Sequence, residues 1–427
     1  MRCTISMTKV NVKIPFLVMI LMHICLSPSM AQTSKSDQAD ELYKKGLTYY
    51  MGQGVAKDLK LAKGYFEQAG RLGHPDACFA LGVMYAGGEG VVRDAQEASS
   101  WYLKAIDKGH VYAATNLGNM YYEGNGFPKD YAVAKKYFLI GAEQGEMYSQ
   151  YNMGNIYFNG GYGIDQNYTE ARKWYLKAAE QGDGYSQLNL GVIYEKGLGV
   201  QRNDEEAFRW YYKSATKGVY QAQNNLANFY LNGRGTAANK DEAIKWYTKS
   251  ANQGNIDAMY NVANVYRKSG DYTTAVKWFK NAAIKGDYKS QVNLGNMYYE
   301  GRGVDQDYEE SLKWYQKAQA TGDKKYASHN IPILQFKIGE DAYANKAFEK
   351  AFEMLTKAAS DKNNPIPEAM RKLSACYRYG LGTSKNPEME KYWLEKAADK
   401  YDKNAMDILG IEVEYYDFEK GKFVKDR

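Results

Sequence analysis

A chain of 427 residues with 40 Gly and 40 Tyr but only 8 Pro could hold two or three globular domains or one repeat array, and abundant Gly with scarce Pro favours regularly spaced turns over a disordered low-complexity chain. The formal charge of +6 falls to +3 without Arg2, Lys9 and Lys13 of the leader described below, and no run of five like charges occurs. A phosphate-binding face needs clustered Lys and Arg, so nucleic acid is not an expected partner.

Residues 1–31 read as a secretory signal. Arg2, Lys9 and Lys13 form a basic n-region, Ile14 to Leu26 an apolar core, and Ser29-Met30-Ala31 a cleavage site before Gln32. Translation could also begin at Met7. The apolar core of 13 residues is shorter than the ~20 needed to cross a bilayer, so no membrane span is expected after cleavage. The expected location is the periplasm or the exterior, which one signal serves equally. Cys78 and Cys376 remain after cleavage, far apart in sequence. Both read as small buried residues, leaving packing rather than disulfides to hold the fold.

Residues 32–38 read as a polar linker. A loose first repeat follows from Ala39, and then the register is clear. A Gly or Ala recurs at Gly82, Gly118, Gly154, Gly191, Ala227, Ala263 and Gly295, in steps of 36, 36, 37, 36, 36 and 32. An aromatic recurs at Trp101, Tyr137, Trp174, Trp210, Trp246, Trp278 and Trp314, each followed by a second aromatic. Two columns with one period predict a solenoid. Each unit reads as helix, glycine loop, helix, glycine stop. Ser290, Leu294, Gly295 and Tyr298 share one helical face. A mid-helix Gly is disfavoured by ~1 kcal/mol against Ala, so its recurrence predicts close approach of the next helix. The loop Gly301, Gly303, Val304 (likewise Gly197, Gly199, Val200) predicts positive-φ turns with the Val pinned to the core. Gly182, Gly218 and Gly254 sit where C-terminal caps belong.

This pattern resembles the Sel-one-like repeat, a relative of the tetratricopeptide repeat, over residues 39–322. The unit from Asn255 to Gly286 lacks the glycine loop and resembles the tetratricopeptide form itself. The resemblance implies an all-α, right-handed superhelical solenoid of antiparallel helix pairs, with first helices lining the concave face. Residues 323–361, with Pro332 and no glycine loop, read as a degenerate repeat and a bend. Asn363 to Pro367 reads as a helix-breaking joint. Residues 362–427 read as a final repeat followed by one more helix and a charged tail, the polar cap of a solenoid. Nine or ten units are expected.

No enzymatic constellation is legible: the P-loop, HExxH, CxxC and GxSxG spacings are all missing, and no cofactor or metal is expected. His74 and His110 each follow a repeat-ending Gly and read as loop residues. Asn167-Tyr168-Thr169 is a lone glycosylation sequon. Some cysteine-rich members of the resembled family are reported to bind or hydrolyse β-lactams. They carry a Cys pair in each repeat, which this chain lacks.

The candidate site is the groove. Three columns flank the Gly/Ala position on a face other than the buried one. Directly after it stand Val83, Asn119, Asn155, Val192, Asn228, Asn264 and Asn296. Four after it stand Ala86, Tyr122, Phe158, Glu195, Leu231, Arg267 and Tyr299. Three before it stand Phe79, Thr115, Tyr151, Leu188, Asn224, Tyr260 and Val292. Asn offers a donor and acceptors to peptide backbone, and Tyr offers apolar area at low entropy cost. The peptide-binding candidates are therefore Asn119, Tyr122, Tyr151, Asn155, Phe158, Asn228, Tyr260, Asn264, Arg267, Asn296 and Tyr299. The alternative is that these Asn bond the neighbouring repeat and these Tyr fill gaps between helices. A second Asn column (Asn116, Asn152, Asn189, Asn225, Asn261, Asn293) reads as structural. The expected function is a monomeric, non-enzymatic scaffold that captures a protein or peptide. The rivals are an enzyme acting on cell-wall or glycan material and a host-interaction protein built on the same solenoid.

Overall fold

The computed structural model describes residues 34–323, 325–410, 414–417 and 422–425; the signal sequence lies outside them. The chain divides into two units, Met1–Glu146 and Met147–Arg427. The described part of the first is three helix pairs: α1 (Lys35–Met51) with α2 (Leu59–Arg71), α3 (Pro75–Gly87) with α4 (Ala95–Ile106), and α5 (Val111–Glu123) with α6 (Tyr131–Glu143). The second opens with α7 (Met147–Asn159) and α8 (Tyr168–Glu180), α9 (Gly184–Lys196) and α10 (Asp204–Thr216), α11 (Tyr220–Asn232) and α12 (Lys240–Asn252). It continues with α13 (Ile256–Lys268) and α14 (Tyr272–Ile284), α15 (Tyr288–Glu300) and α16 (Tyr308–Thr321), α17 (Tyr326–Ala344) and α18 (Phe348–Ala359), α19 (Pro367–Tyr379) and α20 (Pro387–Ala398), then α21 (Lys403–Leu409). The fold is thus an all-α repeat of 21 described helices. Among the described residues, the other named element is a C-terminal antiparallel hairpin, β1 (Glu414–Asp417) with β2 (Lys422–Lys425).

Two expectations change. Helix α1 begins at Lys35 behind a Ser34–Asp37 capping box, so most of the expected linker is its first turn. A Ser N-cap with an acidic N3 residue satisfies two orphan N–H groups at once. The expected charged tail after α21 pairs as a hairpin; its Tyr-Tyr and Phe-Val runs suit strands. In the stretch read as a degenerate repeat, Pro332 lies inside α17. The joint at Asn363 to Pro367 does separate two helices, with Pro367 in the first turn of α19, where its missing N–H has no intrahelical role.

The recurring Gly is explained by the second aromatic of its own pair. A Cβ on Gly82, Gly118, Gly154, Gly191 or Gly295 would stand 2.4–2.8 Å from the ring of Tyr102, Phe138, Tyr175, Tyr211 or Tyr315. Those rings are buried. The small residues five before the Gly/Ala, from Ala77 to Ser290, are fully buried. Between the helices, both loop glycines have positive φ (67° and 75° at Gly301 and Gly303). The first lets the helix end in a left-handed cap. The second is also crowded by the preceding pair: a Cβ on Gly303 would meet the Tyr272 carbonyl at 2.5 Å. Val91, Val200 and Val304 pack the loop on the core. Asp or Asn then caps the second helix, as at Asp94, Asn203 and Asp307, and its N–H closes the loop onto the carbonyl of Tyr85, Tyr194 or Tyr298.

Candidate functional site

The three candidate columns converge on the buried second aromatic of each pair. In the α7–α8 pair, Tyr151 and Phe158 flank the Tyr175 ring at centroid distances of 6.1 and 6.2 Å. Asn155 Oδ1 accepts from Tyr175 Oη at 2.7 Å. Asn228 accepts from Tyr247 Oη at 2.5 Å, and Asn296 accepts from Tyr315 Oη. The structure therefore brings Tyr151, Asn155 and Phe158 together around one ring. It repeats the Asn–Tyr half of that arrangement in the α11–α12 and α15–α16 pairs.

Where the second aromatic is Phe, the arrangement differs. Phe279 has no hydroxyl, and Asn264 instead donates to its own helix at Tyr260 O (3.0 Å) and accepts from Arg267 (3.2 Å). Tyr260 rests on the Phe279 ring at 6.0 Å. In the α5–α6 pair, Tyr122 stacks on Tyr131 at 4.7 Å and meets Phe138 at 6.1 Å, while Asn119 is half-buried. Tyr299 is exposed and lies 5.5 Å from Tyr308.

The expectation that all three columns stand on an open face needs correction. Tyr122 and Asn155 are buried, as are Thr115, Leu188 and Val192, whereas Asn296, Tyr299 and Leu231 are exposed. The bond to a buried phenol does not decide burial, since Asn155 and Asn296 both make it; Asn155 is also enclosed where Tyr151 and Phe158 flank the same ring. Burial also pushes the Tyr151 hydroxyl up to about 12. The tyrosine that Asn155, Asn228 and Asn296 bond belongs to their own pair, not to the neighbouring repeat of the alternative reading.

Two members of the second Asn column bond between pairs, while Asn293 donates to Lys289 O of its own helix. Asn116 Nδ2 donates to Tyr102 Oη at 3.3 Å, and Asn261 Nδ2 donates to Asn224 Oδ1 at 2.9 Å. Two further sets of residues escaped the sequence reading. Gln187, Gln223 and Gln291 are buried, and each donates to the last turn of the preceding second helix, at Ala179, Ala215 or Ala283 O, over 2.9–3.2 Å. Their recurrence four before the Gly/Ala was a usable signal. Tyr131, Tyr168 and Tyr308, each just after an Asp or Asn cap, pack against Tyr122, Phe158 and Tyr299 of the column four after the Gly/Ala; the repeated Asp/Asn-Tyr dipeptide marked them.

Charge is concentrated elsewhere. Helices α7 and α11 carry no ionisable Asp, Glu, Lys or Arg, whereas α8 and α12 each carry five. On the second helices a Lys ammonium sits 3.8–4.3 Å from the ring centroid of Trp101, Trp174, Trp210, Trp246 or Trp314, a cation–π contact. One charged cluster reaches the candidate face: Glu195 accepts from Tyr211 Oη (2.6 Å) and Arg234 (2.7 Å), and Arg234 also grips Asp204. The hydrogen bonds from Arg234 and Arg202 hold the Asp204 carboxyl well below its usual range. Among the described residues, no group of three or more His, Cys, Asp and Glu could hold a metal ion, and no helix is long and apolar enough to cross a membrane. Cys78 and Cys376 are free and buried.

Paired helices in tandem, bonded pair to pair by buried amides and presenting a face of amides and aromatic rings, define a helical repeat scaffold. The chain belongs to the Sel1 repeat family: the Sel1 repeat model matches residues 42–74, 75–110, 111–146, 148–183, 184–219, 221–255, 289–318, 339–363 and 367–402. A tetratricopeptide repeat model matches 258–288, the unit whose short loop resembles that form, bringing the total to ten. The chain is similar to a protective antigen of uropathogenic Escherichia coli strains that displays an SLR fold, with 34% identity over 88% of this chain and 80% of the other, and a TM-score of 0.64. It is also similar to a Sel1 repeat protein from Oxalobacter formigenes, with 27% identity over 68% of this chain and 84% of the other, and a TM-score of 0.56. No curated protein matches it.

Proposed function

We propose that the chain is a non-enzymatic scaffold, acting outside the cytoplasm, whose first helices capture an extended protein or peptide segment. The observation that carries this reading is the chemistry of the first-helix face. It carries no Asp, Glu, Lys or Arg in α7 and α11, and Asn228 and Asn296 have their carbonyls engaged by buried tyrosines, leaving their Nδ2 hydrogens to turn to a ligand. Amide donors flanked by rings suit backbone carbonyls. The leader at residues 1–31 and the likeness to a protective antigen support an exported location. That likeness also favours a second reading, a host-interaction protein using another surface. A glycan-acting enzyme has less support, because Asp204 and Asp76 owe their lowered pKa values to specific hydrogen-bond partners and Asp183, raised by burial, is a helix cap.

The test is in-situ cross-linking of the exported protein and identification of what it captures, repeated with Arg267→Ala plus Tyr299→Ala. Both side chains are accessible and lie away from the tyrosine bonds, so the double variant keeps its fold, checked by its melting curve. Loss of the captured segment is the expected result. Undiminished capture by the folded double variant sinks the groove and turns attention to the other surface.

A further inference from the structure

Of the seven described first-helix caps with a side-chain bond, four are Asp or Asn, at Asp183, Asn255, Asp287 and Asp402, and one is Ser34. In the first unit two successive caps are histidines. His74 Nδ1 accepts from the Ala77 N–H at 3.3 Å and His110 Nδ1 from the Ala113 N–H at 3.2 Å. A backbone N–H can only donate, so each Nδ1 must be bare and each ring neutral with its proton on Nε2. That second nitrogen reaches back to the preceding first helix: His74 Nε2 lies 3.2 Å from Asp40 of α1, and His110 Nε2 lies 3.2 Å from Asp76 of α3. The rings are clamped by aromatics of the same helices, Tyr43 at 4.4 Å and Phe79 at 4.3 Å. Capping alone does not call for His, since Asp and Asn serve elsewhere in the chain and are better caps.

We infer that His74 is an acid-labile clip that fastens α3 to α1 and releases when its imidazole takes up a proton, in a geometry that His110 repeats between α5 and α3. Protonation puts a hydrogen on Nδ1, facing the backbone N–H it had accepted from, and sets a positive charge at the positive end of a helix dipole. The opposing effect is a stronger attraction between Nε2–H and its Asp. The Asp40 and Asp76 side chains are about half exposed, 54% and 50%, so that attraction is screened, whereas the imidazoles are 9% and 11% exposed. The groups facing His74 are Asp40, Tyr43 and Lys44 on α1, Asp76 on α3, and His110 beyond. Those facing His110 are Asp76 and Phe79 on α3 and Tyr112 on α5. Burial holds the His74 value below the ordinary 6.5, against the pull of Asp76 and Asp40 and with the push of His110 and Lys44. A histidine lowered on folding stabilises fully above its unfolded value, and that contribution is lost as the pH falls below about 6.5. Asp76, held down chiefly by its bond to His110, stays ionised through this window.

The experiment is hydrogen–deuterium exchange of the full chain at pH 7.5 and 5.0, with protection corrected for intrinsic exchange. Protection of the first turn of α3 should fall about fivefold, the equivalent of one lost cap, while α13, capped by the non-titrating Asn255, holds. His74→Asn should abolish the fall. An equal fall in α13, no fall at all, or an unchanged fall in the variant overturns the inference. If that variant is misfolded at pH 7.5, NMR titration of the wild type decides: a His74 midpoint above 6.5 refutes the clip.

Discussion

Two mid-helix glycines of this chain should respond to the same substitution with opposite signs. In Gly191→Ala the new Cβ would stand 2.5 Å from Cδ1 and Cε1 of Tyr211. Carbon atoms settle at ~3.5–4.0 Å, so the ring must retreat by about 1 Å. It has nowhere to go: Tyr211 is fully buried, and its hydroxyl is tied to Glu195, which also holds Arg234. Overpacking of this kind costs ~1–3 kcal/mol, against ~1 kcal/mol gained by replacing a helical Gly with Ala. The balance is a loss of up to ~2 kcal/mol, or as much as ~30-fold in local opening. Gly64 in α2 has nothing within 4 Å of an added Cβ. Gly64→Ala should keep the whole propensity gain, about fivefold slower opening. The readout is amide-exchange protection in α9–α10 and in α1–α2, because a repeat array opens locally. Slower exchange in α9–α10 of Gly191→Ala, matching that of Gly64→Ala in its own pair, would refute the ring-against-glycine account.

Three further substitutions test contacts within and between repeats. Gly235 (φ 63°) and Gly218 (φ 90°) both have left-handed backbone, which Asn tolerates best among residues with a side chain. A Cβ on Gly235 would lie 2.2 Å from the Asp204 carbonyl oxygen, while one on Gly218 meets nothing within 4 Å. Gly218→Asn should cost under ~1 kcal/mol and Gly235→Asn ~2 kcal/mol or more, measured as shifts of the urea midpoint; equal shifts would show that φ alone matters. Gln187 Oε1 is buried without a hydrogen-bond partner, whereas the corresponding oxygens of Gln150, Gln223 and Gln291 accept from Gln181, Gln253 and Thr321 at 2.6–2.8 Å. The residue at that place for Gln187 is Lys217, so Lys217→Gln should add about 1 kcal/mol, seen as slower exchange in α9–α10, and no change would argue that the oxygen is already satisfied.

The repeat was legible because its constraints are local. A glycine facing a ring, two glycines turning a loop and an Asp or Asn capping a helix each leave a fixed residue at a fixed step, and the seven-fold column from Gly82 to Gly295 displays them together. The site was less legible because its residues answer to two partners. From sequence, Asn155 and Asn296 occupy the same place, yet one is buried and the other exposed. Nothing in the helical period distinguishes them. The difference arises from neighbouring side chains such as Tyr151 and Phe158 around Asn155, which period alone does not rank. The C-terminal hairpin escaped for another reason: beyond α21 the repeat pattern ends, and the expectation of a charged tail followed the family's cap rather than the strand propensity of the Tyr-Tyr and Phe-Val runs.

The phenol is where packing and recognition meet. Tyr175, Tyr247 and Tyr315 fill the space that the absent or small side chains of Gly154, Ala227 and Gly295 leave open, and each spends its hydroxyl on an Asn of its own first helix. A neutral Asn free to rotate could offer either its carbonyl or its amide to a ligand. With Oδ1 fixed on a buried phenol, the side chain keeps one rotamer, which in the proposed capture of a segment would reduce the entropy lost on binding. Where the ring is Phe279, Asn264 is held by Arg267 instead, and a cation joins the face. The same substitution of Tyr by Phe that hardly alters the core therefore rewrites what a repeat presents, so a solenoid with an invariant interior can vary its face one hydroxyl at a time.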